Sequence, residues 1–193
     1  MPSSFTHAIA GAAVASPLAR NPVPRRFWVA AACCAALPDI DILWGRYVTW
    51  GTWLAHRGFT HSLAFAAVVG VTTAFILFRD PQFAPVRWRY AAALALATAS
   101  HCLLDGLATY GTHVMFFWPF STHRYLLPRT VFGVPGVPWP HSSLGRLARV
   151  AENEIKWGWI PSAVVLGVTA WIRRTNRATV PATPGPTADE RFG

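Results

Sequence analysis

Tyr90 to Ala108 reads YAAALALATASHCLLDGLA, nineteen mostly small or apolar residues broken near the end by His101 and Asp105. As a helix rising about 1.5 Å per residue, this stretch nearly covers the roughly 30 Å of hydrocarbon in a bilayer. Four more apolar stretches lie outward from it and also read as helices: Phe5 to Leu18, Phe27 to Leu37, Ser62 to Phe78 and Trp157 to Ile172. The run from Ser62 is 17 residues, nearly long enough to cross. The first two are short and are expected as re-entrant or half-buried helices, because backbone polar groups in lipid must be satisfied within the protein.

Composition agrees with a membrane setting. Hydrophobic residues make up 53% of the 193-residue chain and charged residues 13%, against roughly 25% charged in an average soluble domain. That balance excludes a disordered regulator and a charged coiled coil. Ten Trp, twelve Phe and four Tyr suit rings that settle at the lipid–water boundary. The net charge of +9 comes from 17 basic residues, all but Lys156 being Arg. They fall between apolar runs rather than along one helix face, which argues against nucleic acid as partner. Cys33, Cys34 and Cys102 form an odd set without a CxxC pair and are expected as buried thiols.

The expected fold class is therefore all-α, a multi-pass membrane helical bundle. Residues 1–174 form one membrane-embedded domain, and residues 175–193, rich in Pro, Thr and Gly, form a disordered tail. No basic residue precedes the first apolar run, so the N-terminus is not expected to be a cleaved signal. Between Thr109 and Lys156, Pro119, Pro128, Pro135, Pro138 and Pro140 with paired aromatics indicate a long cap loop. Its end, Leu144 to Ile155, has helical apolar spacing behind a candidate N-cap, Ser143. Alternating helix directions, with Arg173, Arg174 and Arg177 in the cytoplasm, bring Arg20, Arg25, Arg26, Arg79, Arg87 and Arg89 to the same side.

The same alternation gathers the ionisable residues at the other, non-cytoplasmic end. His7 begins the first helix, Asp39 and Asp41 follow the second, His56 and His61 precede the third, and His101 and Asp105 close the fourth. Each ionisable group near the bilayer centre costs about 2.5 to 3.5 kcal/mol on insertion scales, so their convergence requires a compensating partner, and a divalent metal supplies one. His101 and Asp105, four apart, share a helix face. His56 and His61 flank Gly58, which fits a turn with His61 on the first turn of a helix behind Thr60 as N-cap. Asp39 and Asp41, on an extended turn after Pro38, point apart, so that one binds metal and the other orients an imidazole. Nitrogen and carboxylate ligands without Cys favour zinc, with manganese the other fit. Each histidine alone reads more simply as a packing residue; the set does not. His113, His123, His141 and Glu152 read as solvated, whereas Glu154 can face the cluster. Arg57 and Arg124 are candidates to hold an anion such as phosphate, or they are ordinary headgroup-level arginines.

On these residues the chain resembles the LexA-regulated, inner-membrane-associated metal-dependent hydrolase family. The resemblance covers about residues 5 to 175. It rests on Thr6-His7, Leu37-Pro38-Asp39-Ile40-Asp41, His56-Arg57-Gly58-Phe59-Thr60-His61-Ser62, Ser100-His101 with Asp105, and Trp118-Pro119-Phe120. The Asn153-Glu154-Ile155-Lys156-Trp157 stretch is similar to a Glu-containing approach to the last helix in one branch of that family, which selects Glu154 over Glu152. The resemblance implies a bacterial inner-membrane location and chemistry like that of zinc-dependent phospholipase C.

The resulting expectation is a zinc-dependent enzyme that hydrolyses a phosphoester in a lipid or other amphiphile with metal-activated water. His7, Asp39, His56, His61, His101, Asp105 and Glu154 are the candidate ligands for one or two ions. Asp41 is expected as an orienting carboxylate or general base, and Arg57 as the group that steadies phosphate charge. The alternative is a metal transporter or metal-sensing membrane protein, which would place ligands near mid-bilayer on broken helices, often with inverted repeats. No serine nucleophile elbow, P-loop or dinucleotide fingerprint is present.

Overall fold

A computed structural model describes residues 2–19, 22–108, 113–128, 131–132 and 144–178. Six α-helices run through these residues: α1 Ser4–Ala15, α2 Arg25–Ala36, α3 Leu63–Leu77, α4 Arg87–Gly106, α5 Leu144–Glu154 and α6 Ile160–Ala178. Short 3-10 turns link them, and a π-helical turn, Ile155–Trp159, joins α5 to α6. Among the described residues there is no strand, only the isolated bridges Ala108–Phe132 and Val114–Tyr125. α6 runs past residue 174 to Ala178; the rest of the expected tail, with Ser143 and His141, lies outside the described residues.

Helix starts follow local chemistry. Ser3 caps α1, its hydroxyl accepting from the Thr6 amide at 3.3 Å. Ser62 caps α3 by accepting from the Phe65 amide, so the cap is Ser62 rather than Thr60, and His61 closes a 3-10 turn just before the helix. α2 passes into the 3-10 helix Leu37–Leu43, where Pro38 cannot donate to a preceding carbonyl.

α1, α2 and α4 pack mutually, with α3 lying along α4. Alanine dominates the contacts, and a Cβ on Gly70 of α3 would stand 2.3 Å from the Ala95 backbone nitrogen of α4. Small residues that bring backbones together are the usual glue between helices in hydrocarbon, where water gives no drive for burial. At one end, Phe27, Phe78 and Tyr90 close the core with ring centroids 4.7 to 6.3 Å apart. Arg26 lies over Phe78 and Phe83, Arg87 donates to the Phe78 carbonyl, and Arg173 reaches the Ser16 and Ala19 carbonyls and the Trp28 ring. These three arginines thus share one end of the bundle, as expected.

Among the described residues, two segments are long and apolar enough to cross a membrane, Arg25–Tyr47 and Leu147–Asn176; α4, which holds most of the Tyr90–Ala108 stretch expected nearly to span, is not one of them. The expectation is corrected in both directions. α2 is extended by its 3-10 continuation to 23 residues, whereas α3 has only 15, about 22 Å at helical rise. α6 leaves Ile160, Val164, Val168 and Trp171 about half exposed or more, and α3 does so with Val68 and Ile76. Cys34 and Cys102 are buried, but Cys33 is exposed, because neighbouring residues on a helix point about 100° apart.

Candidate metal centre

At the end of the bundle opposite those arginines, four elements meet: the start of α1, the 3-10 continuation of α2, the turn before α3 and the end of α4. They carry His7, Asp39 and Asp41, His56 and His61, and His101 and Asp105. The 3-10 segment turns about 120° per residue, which is why Asp39 and Asp41 point differently; the extended turn expected there is not found. His7, His61, His101, Asp41 and Asp105 have no exposed surface.

The turn between Ala55 and Ser62 is a tight fit. Arg57 takes a left-handed backbone with φ of 63°. At Gly58 a Cβ would lie 2.1 Å from the Trp53 carbonyl oxygen, so no other residue fits without moving the chain. Residues 113–128 hold the turn from outside. The Met115 amide donates to the Arg57 carbonyl, and the Leu63 amide to the Phe116 carbonyl. Arg124 donates to the carbonyls of Thr52, His56, Arg57 and His113 at 2.9 to 3.3 Å. Arg124 thus clamps the turn through four backbone carbonyls.

Asp41 organises the histidines. Its Oδ1 lies 2.7 Å from His56 Nδ1; its Oδ2 accepts from the Thr60 hydroxyl at 2.7 Å and the Arg57 amide at 3.2 Å, and lies 3.3 Å from His61 Nδ1. With its proton given to Asp41, the Thr60 oxygen accepts from His61 Nδ1, 3.0 Å away. His101 Nδ1 faces the Ala35 carbonyl at 2.7 Å. A carbonyl or carboxylate partner requires a proton on Nδ1, so the neutral forms of all three rings present Nε2 as a bare lone pair.

Those lone pairs converge. His61 Nε2 and His101 Nε2 are 3.2 Å apart, close to the roughly 3.3 Å edge of a tetrahedron with bonds of about 2.0 Å. Asp39 Oδ1 lies 3.4 Å from His101 Nε2 and 3.8 Å from His61 Nε2, and Asp105 Oδ2 lies 3.5 Å from His61 Nε2. The other Asp105 oxygen, Oδ1, is 3.5 Å from His7 Nε2, whose ring stacks on His101 with centroids 3.7 Å apart. Two ligand groups therefore share Asp105: Asp39, His56, His61 and Asp105, and His7, His101 and Asp105. Buried Nδ1 and Nε2 of His7, Oδ1 of Asp39 and Oδ1 of Asp105 make no hydrogen bond. Such atoms are costly unless a cation satisfies them, so the residues present fit a divalent metal. Burial works against charge on His61, yet Asp105 and Asp41 beside it hold its pKa above the ordinary imidazole value.

Of the expected ligands, six are brought together and Glu154 is not. Both its oxygens are engaged at the start of α1: Oε1 accepts from the Ser3 amide at 2.6 Å, Oε2 from the Ser3 and Thr6 hydroxyls at 2.7 and 2.9 Å. The Thr6 hydroxyl in turn accepts from Trp159 Nε1, and a Cβ on Gly158 would meet the Thr6 side chain at 2.5 Å. Glu154 thus ties the α5–α6 arm to α1. Asp41 holds the orienting position, with both oxygens already engaged. Arg57 is 1% exposed and donates through Nε to Asp105 Oδ2 at 2.9 Å, so its guanidinium lies against a ligand carboxylate. His113, His123 and Glu152 are exposed, as expected. Sequence reading missed Thr60 as the bridge between Asp41 and His61, and Ser3 as the partner of Glu154; hydroxyls beside motif residues were the only signal for either.

Residues 1–177 match the YdjM inner membrane protein family. The chain belongs to that family. It is also 34% identical over 176 residues to the inner membrane protein YbcI of Escherichia coli (strain K12), covering 90% of this chain and all of YbcI. No solved structure matches the chain significantly. Membership of an inner membrane protein family makes the bilayer a partner of the chain.

Proposed function

We propose that this protein is a multi-pass enzyme of the bacterial inner membrane that uses one or two divalent metal ions, zinc by ligand chemistry, to hydrolyse a phosphoester in a lipid or similar amphiphile. The observation that carries the reading is the pair of bare Nε2 atoms of His61 and His101, 3.2 Å apart, with carboxylate oxygens of Asp39 and Asp105 beside them. A bound divalent ion supplies Lewis acidity toward a phosphoryl oxygen and lowers the pKa of water toward neutrality.

The chain's own groups prepare that chemistry. His7, Asp39, His56, His61, His101 and Asp105 hold the metal, and Asp105, with one oxygen toward each ligand group, suits two neighbouring ions. Asp41 locks the tautomers of His56 and His61. Arg57 holds Asp105 and adds positive charge beside the site, which favours a phosphate ester as the bound species. Asp39 and His56, whose side chains are 11% and 18% exposed, are the outward members and mark the side from which substrate arrives. With Arg26, Arg87 and Arg173 in the cytoplasm, the site lies on the non-cytoplasmic side.

The test is phosphate or headgroup release from a panel of phosphodiesters and phospholipids by detergent-purified protein. Turnover lost on chelation, restored by zinc and absent in His101→Ala supports the reading. Stoichiometric metal with no turnover, together with metal movement in proteoliposomes, overturns it in favour of a transporter.

A further inference from the structure

A cavity of about 250 Å³ opens beside His56, lined also by Ile42, Arg46, Val48 and Trp50. His56 is its link to the metal centre: the ring belongs to one ligand group and sits edge-on to His61, centroids 5.2 Å apart. Arg46 is the one cationic residue of the lining, its guanidinium 4.7 Å from the Tyr47 ring. The outer surface is apolar and aromatic: Leu43, Tyr47 and Trp50 are each about 70% exposed, and Ile42 is 58% exposed. These residues lie at the end of the candidate span Arg25–Tyr47, where Trp and Tyr mark the level of lipid headgroups.

We propose that this cleft is the path by which an anionic phospholipid reaches the centre, with Arg46 binding the phosphate and Ile42, Val48 and Trp50 taking the first carbons of the chain. The phosphate's identity rests on the hydrolase reading; the cleft's chemistry stands on its own lining. A freely soluble phosphate ester would leave the apolar wall unmatched, and a bare metal ion would gain nothing from Arg46. An amphiphile with an anionic head satisfies both parts, because Arg offers a planar fork of donors to phosphate while the aliphatic and indole surfaces are removed from water.

The full chain, in nanodiscs of zwitterionic lipid, is titrated with three probes: a short-chain phosphatidic acid brominated near the glycerol, the matching brominated diacylglycerol, and inorganic phosphate. Emission from Trp50, read as the difference between wild type and Trp50→Phe, reports the two brominated lipids, and inorganic phosphate is scored as a competitor. Phosphatidic acid is expected to quench saturably. Arg46→Gln should weaken it about fivefold, the scale of a rim ion pair, without affecting diacylglycerol, and Arg46→Lys should recover part of the loss. Val48→Asp should weaken both lipids. Zinc content should be the same in Arg46→Gln as in wild type, since Arg46 is no ligand. Phosphatidic acid binding unchanged in Arg46→Gln, or inorganic phosphate binding as tightly as phosphatidic acid, overturns the proposal. Wild type that binds no zinc yet keeps Arg46-dependent quenching overturns the hydrolase reading and supports the cleft.

Discussion

His61 and His101 approach each other through Nε2 at 3.2 Å, while each turns Nδ1 toward an oxygen at no more than 3.3 Å. Two buried imidazoles arranged in this way have no proton to share in their neutral forms. A divalent cation between them, with Asp39 and Asp105 beside it, is the partner that the proposed function supplies.

Removing a ligand should therefore remove metal before it removes the fold. Zinc in detergent-purified protein, measured by elemental analysis, is expected at one to two equivalents per chain and to fall at least about tenfold in His101→Ala and Asp105→Ala. Helical circular dichroism should persist in at least one variant. Wild type without metal would contradict the centre.

Asp41→Asn tests the orienting role. The amide keeps the size of the carboxylate but replaces one acceptor oxygen with a donor, so it cannot serve His56 Nδ1, His61 Nδ1, the Thr60 hydroxyl and the Arg57 amide together. Zinc affinity, measured by competition with a chromophoric chelator, is expected to drop about 10- to 100-fold with ligand number unchanged.

Gly58→Ala should destabilise the protein by about 2 kcal/mol or more, since its Cβ would fall 2.1 Å from a backbone oxygen that cannot rotate away. Gly145 in α5 has nothing within 4 Å of the same atom, so Gly145→Ala should be neutral or stabilising by up to about 1 kcal/mol. Thermal unfolding of the two variants in one detergent makes the comparison.

Glu154→Ala separates a helix tie from a metal ligand. It removes three hydrogen bonds at the start of α1 and is expected to cost about 2 to 3 kcal/mol, since the acceptor is charged and buried. Proteolysis at the α5–α6 arm should quicken while zinc content stays at the wild-type level. Loss of zinc in the folded variant would return Glu154 to the ligand set.

The helices were legible because long runs of small and apolar residues favour helix, as in Tyr90 to Ala108, most of which falls in α4. The ligand set was legible for a related reason: His101 and Asp105 are conspicuous in oily sequence, and antiparallel alternation carries helix ends to common levels. Glu154 misled because chain direction brings it to the correct end of the bundle without saying which neighbour it meets there.

By itself, the amino-acid sequence determined the all-helical class, the end of the bundle at which ionisable groups collect, and the identities of six residues in the cluster. These follow from hydropathy and from the regular geometry of helices, which are local properties. Only the tertiary structure decided that His61 and His101 face each other through Nε2, that Asp105 lies between two groups of candidate ligands, that Asp41 contacts His56, His61, Thr60 and Arg57, and that Glu154 ties α1 to the last helix. Those outcomes depend on distances of about 3 Å between atoms far apart in the chain, and the direction of a hydrogen bond is set by the partner that packing supplies.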